Sequence, residues 1–268
     1  MVKAAQLICE RLEGFRRDRT RLAHDIEGFA NSGVSVCSFA WSANDALSVP
    51  LTHLDWRRWW EPDDEARVLD ALRDVLEDPN VPKIGHNWAF ELFVWRWKYG
   101  IQVRGVCDDT MLKHAVMYPE LEKALDVVAT LYSREPYWKD MGDTKDDAQL
   151  ARYNALDSLV TFEINDAMEA EMTDAQRRYY QHQLALLEPC LEMSFCGLRY
   201  DSEKRDAMVA ALEREVFTLN GELDSLAGIP LPSFADVREA VAMKVKWAKC
   251  ADWPDLLTYA KPSMKEAL

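Results

Sequence analysis

The chain has 268 residues, enough for one large domain or a domain with an appendage, and is 49% hydrophobic and 29% charged, a globular profile with no apolar run of membrane length. Its net charge of −14 argues against a protein that holds nucleic acid mainly by neutralising phosphates, but not against an enzyme that touches a few nucleotides and uses its acids to bind metal. Cys9, Cys37, Cys107, Cys190, Cys196 and Cys250 are scattered without a C-x-x-C pair, which argues against structural zinc and a disulfide framework and fits a reducing cytosol.

The N-terminal segment "MVKAAQLICERLEGFRRDRTR" reads as a helix; Glu10 and Glu13 interrupt its apolar patch, so it is no signal peptide. Arg11, Arg16, Arg17, Arg19 and Arg21 crowd this segment and read as a solvated face. Three β-rich stretches follow, "RLAHDIEG", "VSVCSFAW" and "ALSVPLTH", separated by turn-forming residues, as in a meander. "PDDEARVLDALRDVLEDPN" is helical, with acids in its first turn. "VPKIGHN" is a short buried strand that runs into the helix "WAFELFVWRWKYG", closed by Gly100. "VRGVCDDTMLKHAVM" gives strand, turn and helix, "ELEKALDVVATLYS" a further helix, and "DDAQLARYNALDSLVTFEINDAMEAEM" a long one. Strands first and helices alternating later imply an α/β domain, a mixed sheet with helices on both faces, ending near residue 172. Beyond it, "TDAQRRYYQHQLALLEPCLEMSFCG" and "DSEKRDAMVAALEREVFTLNGELDSLAG" are amphipathic helical patterns, and a tail follows with Pro230, Pro232, Pro254 and Pro262. Residues 1–172 and 173–268 thus form an α/β domain and a smaller helical region.

Three segments place acids where burial is expected. Asp25 and Glu27, two apart in the first strand, point to one face. Such a pair needs either a strand end in water or a cation or donors between the carboxylates. On the long helix, Leu150, Tyr153, Asp157, Val160, Ile164 and Ala167 form one apolar face, so Asp157 lies in the stripe to be buried, and an arginine or a metal would neutralise it. Glu91 lies near the start of its helix, just after a buried strand, where the cleft of an α/β domain is lined. Together the acids describe a carboxylate cage for hard divalent ions, with Tyr153 placed to orient a water.

The segments "HDIEG", "GHNWAFE", "DDTML" and "YNALD" resemble, in order and spacing, the 3′–5′ proofreading exonuclease domain of family A DNA polymerases, in the tyrosine subclass of the DEDD superfamily. The resemblance runs from about residue 20 to residue 170, and "PELEKALDVVATLYSREPYWKDMGD" looks like phage-type members. It implies a ribonuclease H-like fold and assigns Asp25, Glu27, Glu91 and Asp157 as metal ligands, with Tyr153 as the fifth catalytic residue. Arg152 stands where a histidine subclass would carry its histidine. Glu91 departs from the family's usual Asp, adding a methylene and a rotatable bond to a residue that still binds Mg²⁺. Asn87 matches a position that sets the substrate strand, and Phe90 is a core or base-stacking residue. Asp109 is expected to cap the following helix, and His86 to be a satisfied interior histidine. Trp56, Trp59 and Trp60 are expected to bury against the next helix rather than form a stacking platform. Lys139 and Lys145 lie in a polar stretch that either touches phosphate or is solvated.

"LLEPCLEMSFCGLRYDSEKRDAM" resembles the helical start of a polymerase thumb, with nothing like a palm or fingers after it. The expected function is a 3′–5′ exonuclease without polymerase activity. It would release nucleoside monophosphates from single-stranded or frayed DNA 3′ ends with two divalent ions, Mg²⁺ or Mn²⁺. Proofreading beside a separate DNA polymerase subunit, in a bacterial or phage-infected cytoplasm, fits that reading, and no membrane partner is expected. The alternatives are a non-catalytic module that binds DNA ends or a polymerase, and an RNA-trimming exonuclease similar to ribonuclease D.

Overall fold

Strands β1 (Leu22–Phe29), β2 (Gly33–Ala40) and β3 (Ala46–Pro50) form the expected antiparallel meander. Strands β4 (Lys83–Gly85) and β5 (Val106–Asp109) add on parallel to β1, giving the order β3-β2-β1-β4-β5. This computed structural model describes residues 2–29 and 33–227. The chain divides into two units, Met1–Gly197 and Leu198–Leu268. The sheet of mixed strand direction, flanked by helices, is the expected α/β architecture.

All eight residues of β2 are buried, because helices cover both faces of the sheet. Helices α1 (Val2–Asp18), α2 (Pro62–Glu77) and α3 (Trp88–Tyr99) supply Leu12, Phe15, Leu72, Val94 and Trp95 to one face, against Leu22, Ile26, Cys37 and Phe39. The alternation of β1 sends Ala23 the other way, to Ala40, Ile84 and Phe162 of α6 (Asp147–Glu171). Around α6 lie α4 (Thr110–Met117), α5 (Leu125–Tyr132) and α7 (Asp174–Ala185), sharing Met117, Val128, Val160, Ile164, Met168 and Tyr180.

Val160 and Ile164 of the apolar stripe of α6 therefore face other helices, while Asp157 stands at its edge toward β1. Toward the sheet the helix presents a second buried row, Asn154, Ser158, Thr161 and Asn165, which the hydrophobic pattern hides. Small polar side chains let the helix approach closely: Ser38 Oγ donates to the Asn154 carbonyl at 2.8 Å and lies 2.7 Å from Ser158 Oγ, and Ser48 Oγ donates to the Ala151 carbonyl at 2.8 Å.

Helix α5 begins at Leu125 rather than at Glu120, where the sequence pattern starts it. The Lys123 carbonyl accepts from His86 Nε2 at 2.8 Å, which draws that backbone away from a helical ladder. Residues 173–197, assigned by sequence to the helical region, pack with the first unit. Tyr180 is buried there, and α8 (Leu187–Cys196) pairs Glu192 with Arg96 and stacks Phe195 on Phe93 at 5.1 Å. In the second unit α9 (Ser202–Ala227) is the expected helix; the Pro-punctuated tail lies outside the described residues. The N-terminal arginines are surface groups, with Arg16 on Asp74 and Arg21 on Asp166. Among the described residues no helix is long and apolar enough to cross a membrane.

Candidate active site

Asp25 and Glu27 lie on the face of β1 that looks toward α6, and Asp157 is buried on α6 opposite them. One carboxylate oxygen from each of the three lies within 4.8 Å of the others. The register slips between Glu27 and Gly28, so the strand bends as it leaves the pair. Gly28 is required there, because a Cβ would fall 2.1 Å from the Gly33 carbonyl oxygen. Glu91, in the first turn of α3, is buried outside this trio, and its Oε2 has no hydrogen-bond partner.

Three residues hold the trio in place. Asn154 Nδ2 donates to Asp25 Oδ2 at 2.6 Å. Trp138 Nε1 donates to Asp157 Oδ1 at 2.5 Å. Lys139, half-buried in the short 3-10 turn Lys139–Gly142, places Nζ 2.8 Å and 3.0 Å from the two oxygens of Asp157 and 3.1 Å from the Tyr153 hydroxyl. The Tyr153 ring lies against Gly142, where a Cβ would come within 3.0 Å of it. Asn154 and Trp138 were not singled out by sequence; adjacency to Tyr153 and to Lys139 was the available signal. Lys139 meets Asp157, which neither sequence reading of that lysine included.

Crowded, poorly hydrated acids hold their protons tightly. Burial, then the charges of Asp157, Glu91 and Glu27, pushes Asp25 well up. Burial and then Asp157 push Glu27 up to about 7. Burial raises Glu91 well above the usual range. Asp157 is raised by burial, although Lys139 and Trp138 oppose the shift. Burial works against the Lys139 ammonium, but Asp157 and Tyr153 outweigh it and hold the lysine charged. On the opposite face of β1, His24 Nδ1–H donates to the Ser38 carbonyl and Nε2 accepts from Trp95, both at 2.9 Å, and burial pushes this neutral ring down to about 3.

The other expected residues divide by what they touch. Asp109 caps α4 as anticipated, accepting from the Met111 and Leu112 amides at 2.9 and 3.1 Å. It also accepts from the Trp88 and Asn87 amides at 2.8 and 3.2 Å, so one carboxylate secures the start of α3 as well. Asn87 adopts a left-handed conformation at the N-cap of α3, and its side chain makes no cap hydrogen bond. Phe90 packs partly buried on the core beneath α3. His86 bridges Thr110 Oγ1 and the Lys123 carbonyl at 2.9 and 2.8 Å, an interior histidine. Trp60 is buried, Trp59 stacks on His53 at 4.4 Å, and Trp56 is exposed. Lys145 is exposed.

The donor set fits a hard divalent cation. It consists of carboxylate oxygens alone, three of them converging, with a fourth acid whose buried oxygen lacks a partner.

The model for the 3′–5′ exonuclease domain of DNA polymerase A enzymes matches residues 28–173, a span that holds Glu91, Tyr153 and Asp157. DNA polymerase I of Chloroflexus aurantiacus is 26% identical over 151 residues, covering 51% of this chain and 16% of that protein. The polymerase domain of Pol1 from M. smegmatis, solved with a DNA primer-template and dNTP, is similar at a TM-score of 0.55 and 18% identity, over 80% of this chain and 35% of that one. Escherichia coli RNase D, an exoribonuclease involved in structured RNA processing, is similar at 0.51 and 14% identity, over 69% of this chain and 48% of that one. The chain thus spans a minor part of the length of the polymerases it matches. The matched span covers more than half of the chain, and the chain belongs to the 3′–5′ exonuclease family of DNA polymerase I type.

Proposed function

We propose that this chain is a metal-dependent nuclease that removes nucleoside monophosphates from single-stranded or frayed DNA 3′ ends, in the manner of a proofreading exonuclease. The observation that carries the reading is the meeting of Asp25, Glu27 and Asp157 within 4.8 Å, in a chain of this family. Asp25, Glu27, Asp157 and Glu91 would hold two divalent ions, Mg²⁺ or Mn²⁺. When bound, the ions supply an activated water and charge stabilisation for the leaving oxygen. Tyr153 orients that water: its oxygen accepts from Lys139, and its own proton, held up to a pKa of about 12, is available to donate. Asn154 and Trp138 fix the carboxylate orientations. Asn87 and Phe90, at the start of the helix that carries Glu91, contact the terminal nucleotide.

The DNA assignment is supported by the similarity to DNA polymerases. On this reading residues 1–172 are the exonuclease domain, 173–197 pack on it, and α9 corresponds to the start of a polymerase thumb, in a chain that serves a polymerase in the cytoplasm. The likeness to RNase D keeps RNA trimming as the second reading.

The test is digestion of 5′-labelled single-stranded DNA and RNA oligonucleotides with Mg²⁺, Mn²⁺ or EDTA, alongside Asp25→Ala and Asp157→Ala. A DNA ladder shortening from the 3′ end, absent in EDTA and in both variants, is expected. Preferential shortening of RNA would replace DNA as substrate. No shortening by a folded protein that still binds the strand would make it a binding module.

A further inference from the structure

The lysine that lies on the carboxylate cluster has a consequence for how the site is loaded, given the metal-dependent reading above. Asp157 is 3% exposed, and both its oxygens accept from Lys139 while Oδ1 also accepts from Trp138. A divalent ion that takes Asp157 meets the ammonium at both oxygens, and repulsion between the two cations sets them in competition for the carboxylate. Lys139 also supplies positive charge that Asp25 and Glu27 feel. Its side chain, 22% exposed, hangs on a four-carbon stem with several rotatable bonds in a turn between α5 and α6, and its ammonium lies 5.0 Å from the centre of the Tyr153 ring. An ammonium displaced from Asp157 keeps its charge and, tethered by its stem, stays near the cluster. The anion that a bound strand brings there is its terminal phosphodiester, a strong partner for a lysine.

We propose that Lys139 is a tethered counter-ion that competes with the metal for Asp157 and transfers to the terminal phosphodiester of a bound strand, so that metal and strand load the site cooperatively. A strand that draws Lys139 away uncovers Asp157 for the ion, and an ion that evicts Lys139 presents a cation to the strand. The coupling is reciprocal by linkage.

The experiment is Mn²⁺ binding, counted by electron paramagnetic resonance. It uses the full chain and its Lys139→Met, Lys139→Gln, Lys139→Arg and Asp157→Asn variants. Each is titrated with and without a single-stranded DNA oligonucleotide whose last linkages are phosphorothioates, so that it binds without being cut. In the unsubstituted protein the strand is expected to tighten Mn²⁺ binding about ten-fold. Lys139→Met and Lys139→Gln bind Mn²⁺ several-fold more tightly without the strand, and the strand then adds less than about two-fold. Lys139→Arg keeps the coupling. Mn²⁺ affinity unchanged or weakened in both uncharged variants, or coupling retained in them, overturns the proposal. If those variants are silent while Asp157→Asn abolishes Mn²⁺ binding, this inference alone fails. If Asp157→Asn binds Mn²⁺ as well as the unsubstituted protein, the metal reading of the cluster fails with it.

Discussion

Replacing Glu27 with glutamine removes one charge from a cluster that repels itself, and the predicted result is a protein that is less active but more stable. Burial and the Asp157 charge raise the Glu27 carboxyl from 4.5 to about 7 on folding. The folded state therefore binds more protons than the unfolded state between those values, and stability falls as pH rises through that window. The penalty is absent below about pH 4.5 and complete above about pH 7. At about 1.4 kcal/mol per pH unit it reaches roughly 3 kcal/mol at pH 8. Glutamine keeps the shape without the charge. For a unit of this size Glu27→Gln should raise Tm by roughly 5–10 °C at pH 8 in EDTA, with the gain shrinking toward zero near pH 4.5. The assay is thermal unfolding by circular dichroism at both pH values. Millimolar Mg²⁺ should raise the Tm of the unsubstituted protein at pH 8 and narrow the difference. A lower Tm for Glu27→Gln at pH 8, or an equal gain at both pH values, would refute the electrostatic account of the cluster.

Asp109→Ala leaves four backbone amides at two helix starts without their acceptor, and urea unfolding should show a loss of about 2–4 kcal/mol. Asn154→Ala removes the donor to Asp25 Oδ2 with little change in backbone. Mn²⁺ affinity or exonuclease rate should fall about 10–100-fold, and an unchanged affinity and rate would remove Asn154 from the site. Gly28→Ala drives a methyl into the Gly33 carbonyl and should destabilise by more than about 2 kcal/mol in a thermal or urea melt. Glu91→Asp shortens an acid whose Oε2 is buried without a partner; a changed Mn²⁺ stoichiometry or affinity is the expected readout if Glu91 is a ligand.

The sequence by itself determined the elements and one side of the site. Period-two alternation in β1 sent Asp25 and Glu27 to one face, since side chains two apart in a strand have no other choice. The stripe through Leu150, Asp157 and Ile164 buried Asp157, and Gly100 ended its helix in the left-handed conformation expected of a C-cap glycine. Asp109 and His86 were legible as a cap and an interior histidine, because their neighbours in the chain already set their surroundings. Other features depend on residues far apart in sequence. Asn154 reaches Asp25 across 129 positions, and the polar row of α6 lies against the sheet because Ser38 and Ser48 meet it there. Periodicity counts apolar residues, so it cannot register a helix face that packs through hydroxyls and an amide. Residues 173–197 joined the first unit through contacts such as Tyr180 donating to Asp108 and Arg96 pairing with Glu192, neither of which leaves a local pattern. Tertiary structure alone decided that Lys139, an ordinary lysine in a polar stretch, comes to rest on the acid that helix periodicity had buried. A buried carboxylate takes whatever cation the fold brings within reach, and only the folded chain selects which.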